Sequence, residues 1–248
     1  MVIDPTMSSS AISGRDLVVK FGSVAALNGC SITFPCRGLV SLIGENGSGK
    51  STLLDVLSGF VSLSSGRLVS GSNQELTRSQ LMHAVTRVHQ RVVLPKELGV
   101  YEYLAICARP RLAGSPFTPK AFFEEGKLST DSPLGKLLAL AGIDDLTRSV
   151  DRLSWGQQRI VSICGALMTR KTVILLDEPF AGIVNSLGVA LMEVLADEAC
   201  RRLIVFAEHD LAYATKAGRV LVLKQGRTAG DFGGGERSEA SLMQYFGD

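Results

Sequence analysis

Residues 44–52 read GENGSGKST, and no other stretch constrains the chain as much. The pattern is GxxxxGK followed by Ser or Thr, which average composition produces by chance in roughly one chain in a hundred of this length. An apolar run at 39–43 precedes it and reads as a strand; a helical pattern follows from about residue 50 to 58. In that setting the residue types have a physical meaning. Glycines let successive backbone amides converge on one point, and the helix start adds the positive end of its dipole, so the turn is suited to gripping phosphate. Lys50 is expected to reach the outer phosphates of a nucleotide and Ser51 to ligate Mg²⁺. Gly44, Asn46, Gly47, Ser48, Gly49 and Thr52 complete the cradle. The loop alone leaves GTPase, kinase and ATPase open. The chain carries no NKxD sequence, which disfavours guanine specificity.

Further short apolar runs lie at 173–176, 203–207 and 220–223. The last enters a Gln225-Gly226 turn. Between them Ile160, Ile163, Cys164, Leu167 and Met168, and then Leu187, Leu191, Val194 and Leu195, fall on helical stripes. Strands alternating with helices predict an α/β core with a parallel sheet. Hydrophobic residues make up 46% of the chain and the mean hydropathy is +0.22, which suits strands buried on both faces. The longest stretch free of Asp, Glu, Lys and Arg is the 16 residues 21–36, interrupted by Gly, Ser, Asn and Pro, so no membrane span is expected.

Residues 91–150 differ. Pro110, Pro116, Pro119 and Pro133 punctuate them, 101–108 and 134–141 look helical, and no strand is evident, so an inserted helical subdomain is expected. Residues 1–10 read as a flexible tail without the basic and apolar regions of a signal peptide. Net charge is +2 with no long run of either sign, giving no electrostatic footprint for nucleic acid. Five cysteines without a CxxC pair argue against a metal or disulfide framework and for a reducing cytoplasm.

The run VILLDEP puts Asp177 and Glu178 at the carboxyl end of a buried strand, the edge where open α/β sheets bind ligands. Asp177 is expected to hold Mg²⁺. Glu178, facing the other way, is expected to orient the attacking water and accept its proton as general base.

About 20 residues ahead of that pair, 153–157 read LSWGQ. This resembles the LSGGQ signature of ABC-type ATPases, with Trp155 in place of the first glycine and Ser154 placed to cap the following helix. The resemblance implies a P-loop NTPase (RecA-like) core, at 11–90 and 151–248, with an antiparallel β part and the helical subdomain inserted at about 91–150. It implies ATP and Mg²⁺ as ligands, Phe21 as the ring that stacks on adenine, Gln90 as the glutamine that senses the metal and the attacking water, and His209 as the histidine that contacts the terminal phosphate. Ser154, Gly156 and Gln157 would bind the nucleotide held by a second ATPase subunit, identical or related. Transmembrane permease subunits would hold the pair at the cytoplasmic face of the membrane. In the family's DEPxxALD pattern the last Asp helps connect the two sites; here Val184 stands there, with Asn185 next to it. His83 and His89 match no family position. GQQR after the signature, AG after DEP, and EHD ahead of a strand ending LKQGR resemble the ATPase subunits of branched-chain amino acid and amide or urea importers. A soluble, non-transport ABC ATPase and a nucleotide-responsive module without turnover are the alternatives.

Overall fold

The structure, a computed structural model, describes residues 12–108, 132–233 and 238–246. The expected tail at 1–10 and the prolines at 110, 116 and 119 lie outside them. In chain order the elements are β1 (Ile12–Phe21), β2 (Val24–Phe34), β3 (Gly38–Ile43), α1 (Lys50–Leu57), β4 (Ser65–Ser70), α2 (Arg78–Ala84), β5 (Val85–Val88), α3 (Val100–Ala108), α4 (Pro133–Leu140), α5 (Trp155–Met168), β6 (Val173–Asp177), α6 (Asn185–Ala199), β7 (Leu203–Ala207), α7 (Leu211–Ala214), β8 (Arg219–Lys224), β9 (Arg227–Gly233) and α8 (Glu239–Met243).

They divide into two compact units: Met1–Arg87 with Lys171–Glu178 and Glu198–Asp248, and Val88–Arg170 with Pro179–Asp197. The first unit holds both sheets. One is antiparallel, in the order β2-β1-β4; the other has six strands in the order β5-β6-β7-β3-β8-β9. β3 pairs in parallel with β7 and β8, β6 pairs in parallel with β7, and β9 returns antiparallel to β8. That return is made by Gln225 and Gly226 with φ of 51° and 73°, backbone that a tight hairpin turn requires. Every residue of β6 and β7 is buried. Their sequences are apolar throughout except for Asp177 at the end of β6, as suits a central parallel strand with no wet face. Leu17, Val19, Leu27 and Phe34 of the antiparallel sheet share one core with Leu53, Leu54 and Leu57 of α1 and with Val40, Leu42, Leu175 and Val205 of the six-stranded sheet. α1 is thereby fixed against the strand ends. A smaller cluster of Ile43, Ala214, Val220, Val222 and Leu242 includes residues of α7 and α8.

The second unit is helical: its described residues contain one isolated bridge, Gly99 to Ser149, and no strand beyond Val88 at the end of β5. It reaches beyond the segment 91–150, because α5 packs on α3 and α4 and is gathered with them. The apolar stripe Ile160, Ile163, Cys164, Leu167 and Met168 is the buried face of α5. No helix among the described residues is long and apolar enough to cross a membrane.

Candidate functional site

Parallel pairing brings three strand ends level. Leu42 of β3 and Asp177 of β6 both pair with Ala207 of β7, so the residues that follow leave the sheet side by side: Gly44 into the glycine turn, Glu178 toward Pro179, and Glu208 into His209. The turn closes with Gly49 at the N-cap of α1, φ 102°, and no side chain caps that helix. A Cβ on Gly49 would stand 2.5 Å from the carbonyl oxygen of Ala26, so both conformation and space demand glycine. The first-turn amides of α1 therefore have neither an intrahelical acceptor nor a capping side chain.

Lys50 is buried, and its ammonium donates to the carbonyl oxygens of Gly44, 2.6 Å, and Glu45, 3.0 Å. Burial pushes its pKa down, while the carboxylates of Glu178, Asp177 and Glu208 pull it back up. The Ser48 hydroxyl is buried without a hydrogen-bond partner among the described residues. An orphan hydroxyl, an ammonium resting on backbone carbonyls and uncapped amides suit an anionic ligand.

Asp177 is engaged through both oxygens: the Ser51 hydroxyl donates to Oδ1 at 3.3 Å and Nη2 of Arg87 to Oδ2 at 2.9 Å. Hard oxygen donors on Ser51 and Asp177, adjoining the glycine turn, are the chemistry a Mg²⁺ ion takes. Glu178 has φ 49°, a left-handed backbone uncommon for a side chain of this kind, fixed by its amide donating to the carbonyl of Ala207 at 2.9 Å. The chain thus turns sharply between the two carboxylates. Glu208 is almost wholly buried. Its Oε1 accepts the amide of His209, 2.9 Å, while its Oε2 has no hydrogen-bond partner among the described residues. Desolvation raises its pKa, and the His209 and Asp210 amides partly offset that. Phe21, at the end of β1, is 55% exposed, which favours a ligand-facing ring over a core one.

The second unit carries the signature residues. Ser154 is the N-cap of α5 in a reciprocal capping box: its hydroxyl accepts the Gln157 amide, and Gln157 Oε1 accepts the Ser154 amide at 2.9 Å. Gln157 Nε2 also donates to Ala141 and Gly142, so this side chain holds the turn together. Trp155 lies against Gly182, whose φ is 72° and whose added Cβ would stand 2.2 Å from the indole Cζ3. The guanidinium of Arg159 stacks 4.1 Å from the indole centroid and donates to the backbone carbonyl of Gln90. Val184 is exposed and Asn185 begins α6. His83 Nδ1 lies 2.8 Å from the carbonyl of Ser79, a contact within its own helix.

Of the residues the sequence motifs mark, Lys50, Ser51, Asp177, Glu178 and His209 lie at or beside adjoining strand ends of the first unit, and the signature turn lies in the second. No motif gives Arg87, Asp55, Glu208 or Arg159 a role at the site. Glu208 ends the apolar run 203–207 and Arg87 lies three residues before Gln90, and a charged residue ending or lining an apolar strand is the signal that points to them.

Comparison with known proteins bears on the family and the fold. A family model described as ABC transporter matches residues 27–181. The branched-chain amino acid transport ATP-binding protein LivG of Salmonella typhimurium is 28% identical over 235 residues, 89% of this chain and 90% of the relative. The sulfate/thiosulfate import ATP-binding protein CysA of Xylella fastidiosa is 32% identical over 217 residues, 86% of this chain and 60% of the relative. The ADP conformation of MJ1267, an ATP-binding cassette of an ABC transporter, superposes with a TM-score of 0.71 at 26% identity, covering 96% of this chain and 99% of that one. The fold and site define a P-loop nucleotide hydrolase. The chain belongs to the ABC transporter family and is an ATPase.

Proposed function

We propose that this chain is the ATP-hydrolysing subunit of a membrane importer for amino acids or similar small polar solutes, held at the cytoplasmic face through transmembrane permease subunits. The likeness to LivG over most of both chains supports the solute class. The observation that carries the site reading is the meeting of Lys50, Ser51 and Asp177 at adjoining strand ends, with Glu178 turned off the same strand by a left-handed backbone.

Phosphate oxygens of ATP are better partners for the desolvated Lys50 ammonium than the two carbonyls it rests on, since charge-assisted contacts gain in a buried setting. Ser51 and Asp177 would hold Mg²⁺, which supplies charge neutralisation at the phosphates. Glu178 orients a water toward the terminal phosphorus and accepts its proton. The bond to the leaving oxygen breaks, giving ADP and inorganic phosphate. His209 contacts the terminal phosphoryl group, and Phe21 offers its ring to adenine. Asn46, Gly47, Ser48, Gly49 and Thr52 line the phosphates. Two cassettes clamp the nucleotide so that Ser154, Gly156 and Gln157 of one face the glycine turn of the other. Loss of the terminal phosphate removes what favoured closure.

Glu178→Gln tests the chemistry: ATP binding is retained and turnover falls at least a hundredfold, whereas unchanged turnover refutes the base. Proteins co-purifying from detergent extract test the setting. Membrane subunits that stimulate the ATPase support it, and full turnover by the chain alone, with no such subunits recovered, refutes it.

A further inference from the structure

Ser51 and Asp55 are four residues apart on α1 and so share one face of that helix. Each reaches one member of the Arg87–Asp177 pair. Ser51 donates to Oδ1 of Asp177; Arg87, from β5 beside β6, donates through Nη2 to Oδ2 of Asp177 and through Nη1 to Oδ1 of Asp55. The Arg87 side chain is 4% exposed, that of Asp177 6% and that of Asp55 28%. One guanidinium fork thus ties the phosphate-binding helix to the strand end that bears the metal-seeking carboxylate.

The charges decide what this arrangement does. Asp177 paired with Arg87 alone sums to zero, a poor site for a divalent cation. With Asp55 on the other arm the three groups sum to −1, the charge of a single carboxylate. We propose that Arg87 and Asp55 are positioning residues for Asp177: Arg87 fixes its side chain with Oδ1 toward Ser51, and Asp55 is the counter-charge that keeps Arg87 from cancelling Asp177 toward Mg²⁺. This rests on the reading of Ser51 and Asp177 as the residues that hold Mg²⁺ with the nucleotide. A purely structural ion triad is the competing account, since removing one partner of a buried pair destabilises a protein whatever its function.

The two accounts separate in a binding measurement on the full chain with a fluorescent ribose-labelled ATP, in excess Mg²⁺ and in EDTA, alongside thermal melting. Asp55→Asn is nearly isosteric at a partly exposed position, so the fold is kept. The affinity gained by adding Mg²⁺ is expected to fall about tenfold, or about 1.4 kcal/mol, while the affinity in EDTA stays within about twofold of wild type. Adding Arg87→Met to Asp55→Asn removes the uncompensated guanidinium and is expected to restore most of the gain. A gain in Asp55→Asn within about twofold of wild type overturns the proposal, and so does an equal loss with and without Mg²⁺. Should the double variant fail to fold, Asp55→Asn alone decides. A wild-type chain whose affinity ignores Mg²⁺ refutes the site reading itself, a result distinct from either of those.

Discussion

Replacing Arg159 by methionine removes a guanidinium that is 1% exposed, stacked 4.1 Å from the centroid of Trp155 and hydrogen-bonded to the carbonyl of Gln90. Methionine keeps an unbranched apolar stem, so little packing volume is lost and the deficit is mainly in polar contacts. A cation over an indole that is itself 46% exposed contributes about 1 kcal/mol. A hydrogen bond from a charged donor contributes about 1.5–3 kcal/mol, and the lower end applies because Gln90 lies near water. The expected loss is therefore about 2.5 kcal/mol, or a fall in Tm of about 5–10 °C for a chain of this size. Trp155 is the sole tryptophan, so unfolding followed by its emission reports on the unit that contains it. In the folded variant the emission maximum should shift as the cation leaves the ring. Arg159→Lys keeps the charge but not the planar fork and should fall between the two. A methionine variant within about 1 kcal/mol of wild type, with an unshifted emission maximum, refutes the assignment of this stack as what holds the signature turn to the Gln90 segment.

Gly182→Ala puts a methyl group into the Trp155 ring and a side chain on a φ of 72°; a loss of about 2–3 kcal/mol is expected in chemical denaturation, with altered Trp155 emission. Glu208→Gln should depend on pH. Burial raises the Glu208 pKa above its ordinary 4.5, so this group favours folding only while protonated, and that contribution disappears as pH rises through the folded value. The Tm difference, variant minus wild type, should thus be more positive at about pH 8 than at about pH 5, and the opposite slope would contradict the desolvation argument.

Several of these features were legible because they are local. The glycine turn, the α5 capping box and the apolar strands each draw on residues a few positions apart, and the elements observed at Gly38–Ile43, Leu203–Ala207 and Val100–Ala108 lie within a residue or two of their expected bounds. The extent of the helical unit was less legible. Its membership depends on which helix α5 packs against, and periodicity reports only that a helix has an apolar face.

The amino-acid order alone determined the phosphate-gripping turn, the acidic strand end and the capped signature helix, since steric preference, hydrophobic period and capping act over one or two turns of chain. Only the folded arrangement decided that Arg87 pairs with Asp177, 90 residues away, and with Asp55, 32 residues away, and that Arg159 reaches the carbonyl of Gln90, 69 residues away. A charge in a sequence has many potential partners. Strand order and burial choose one of them, because an ionised group withdrawn from water must meet a counter-charge where the chain has brought it.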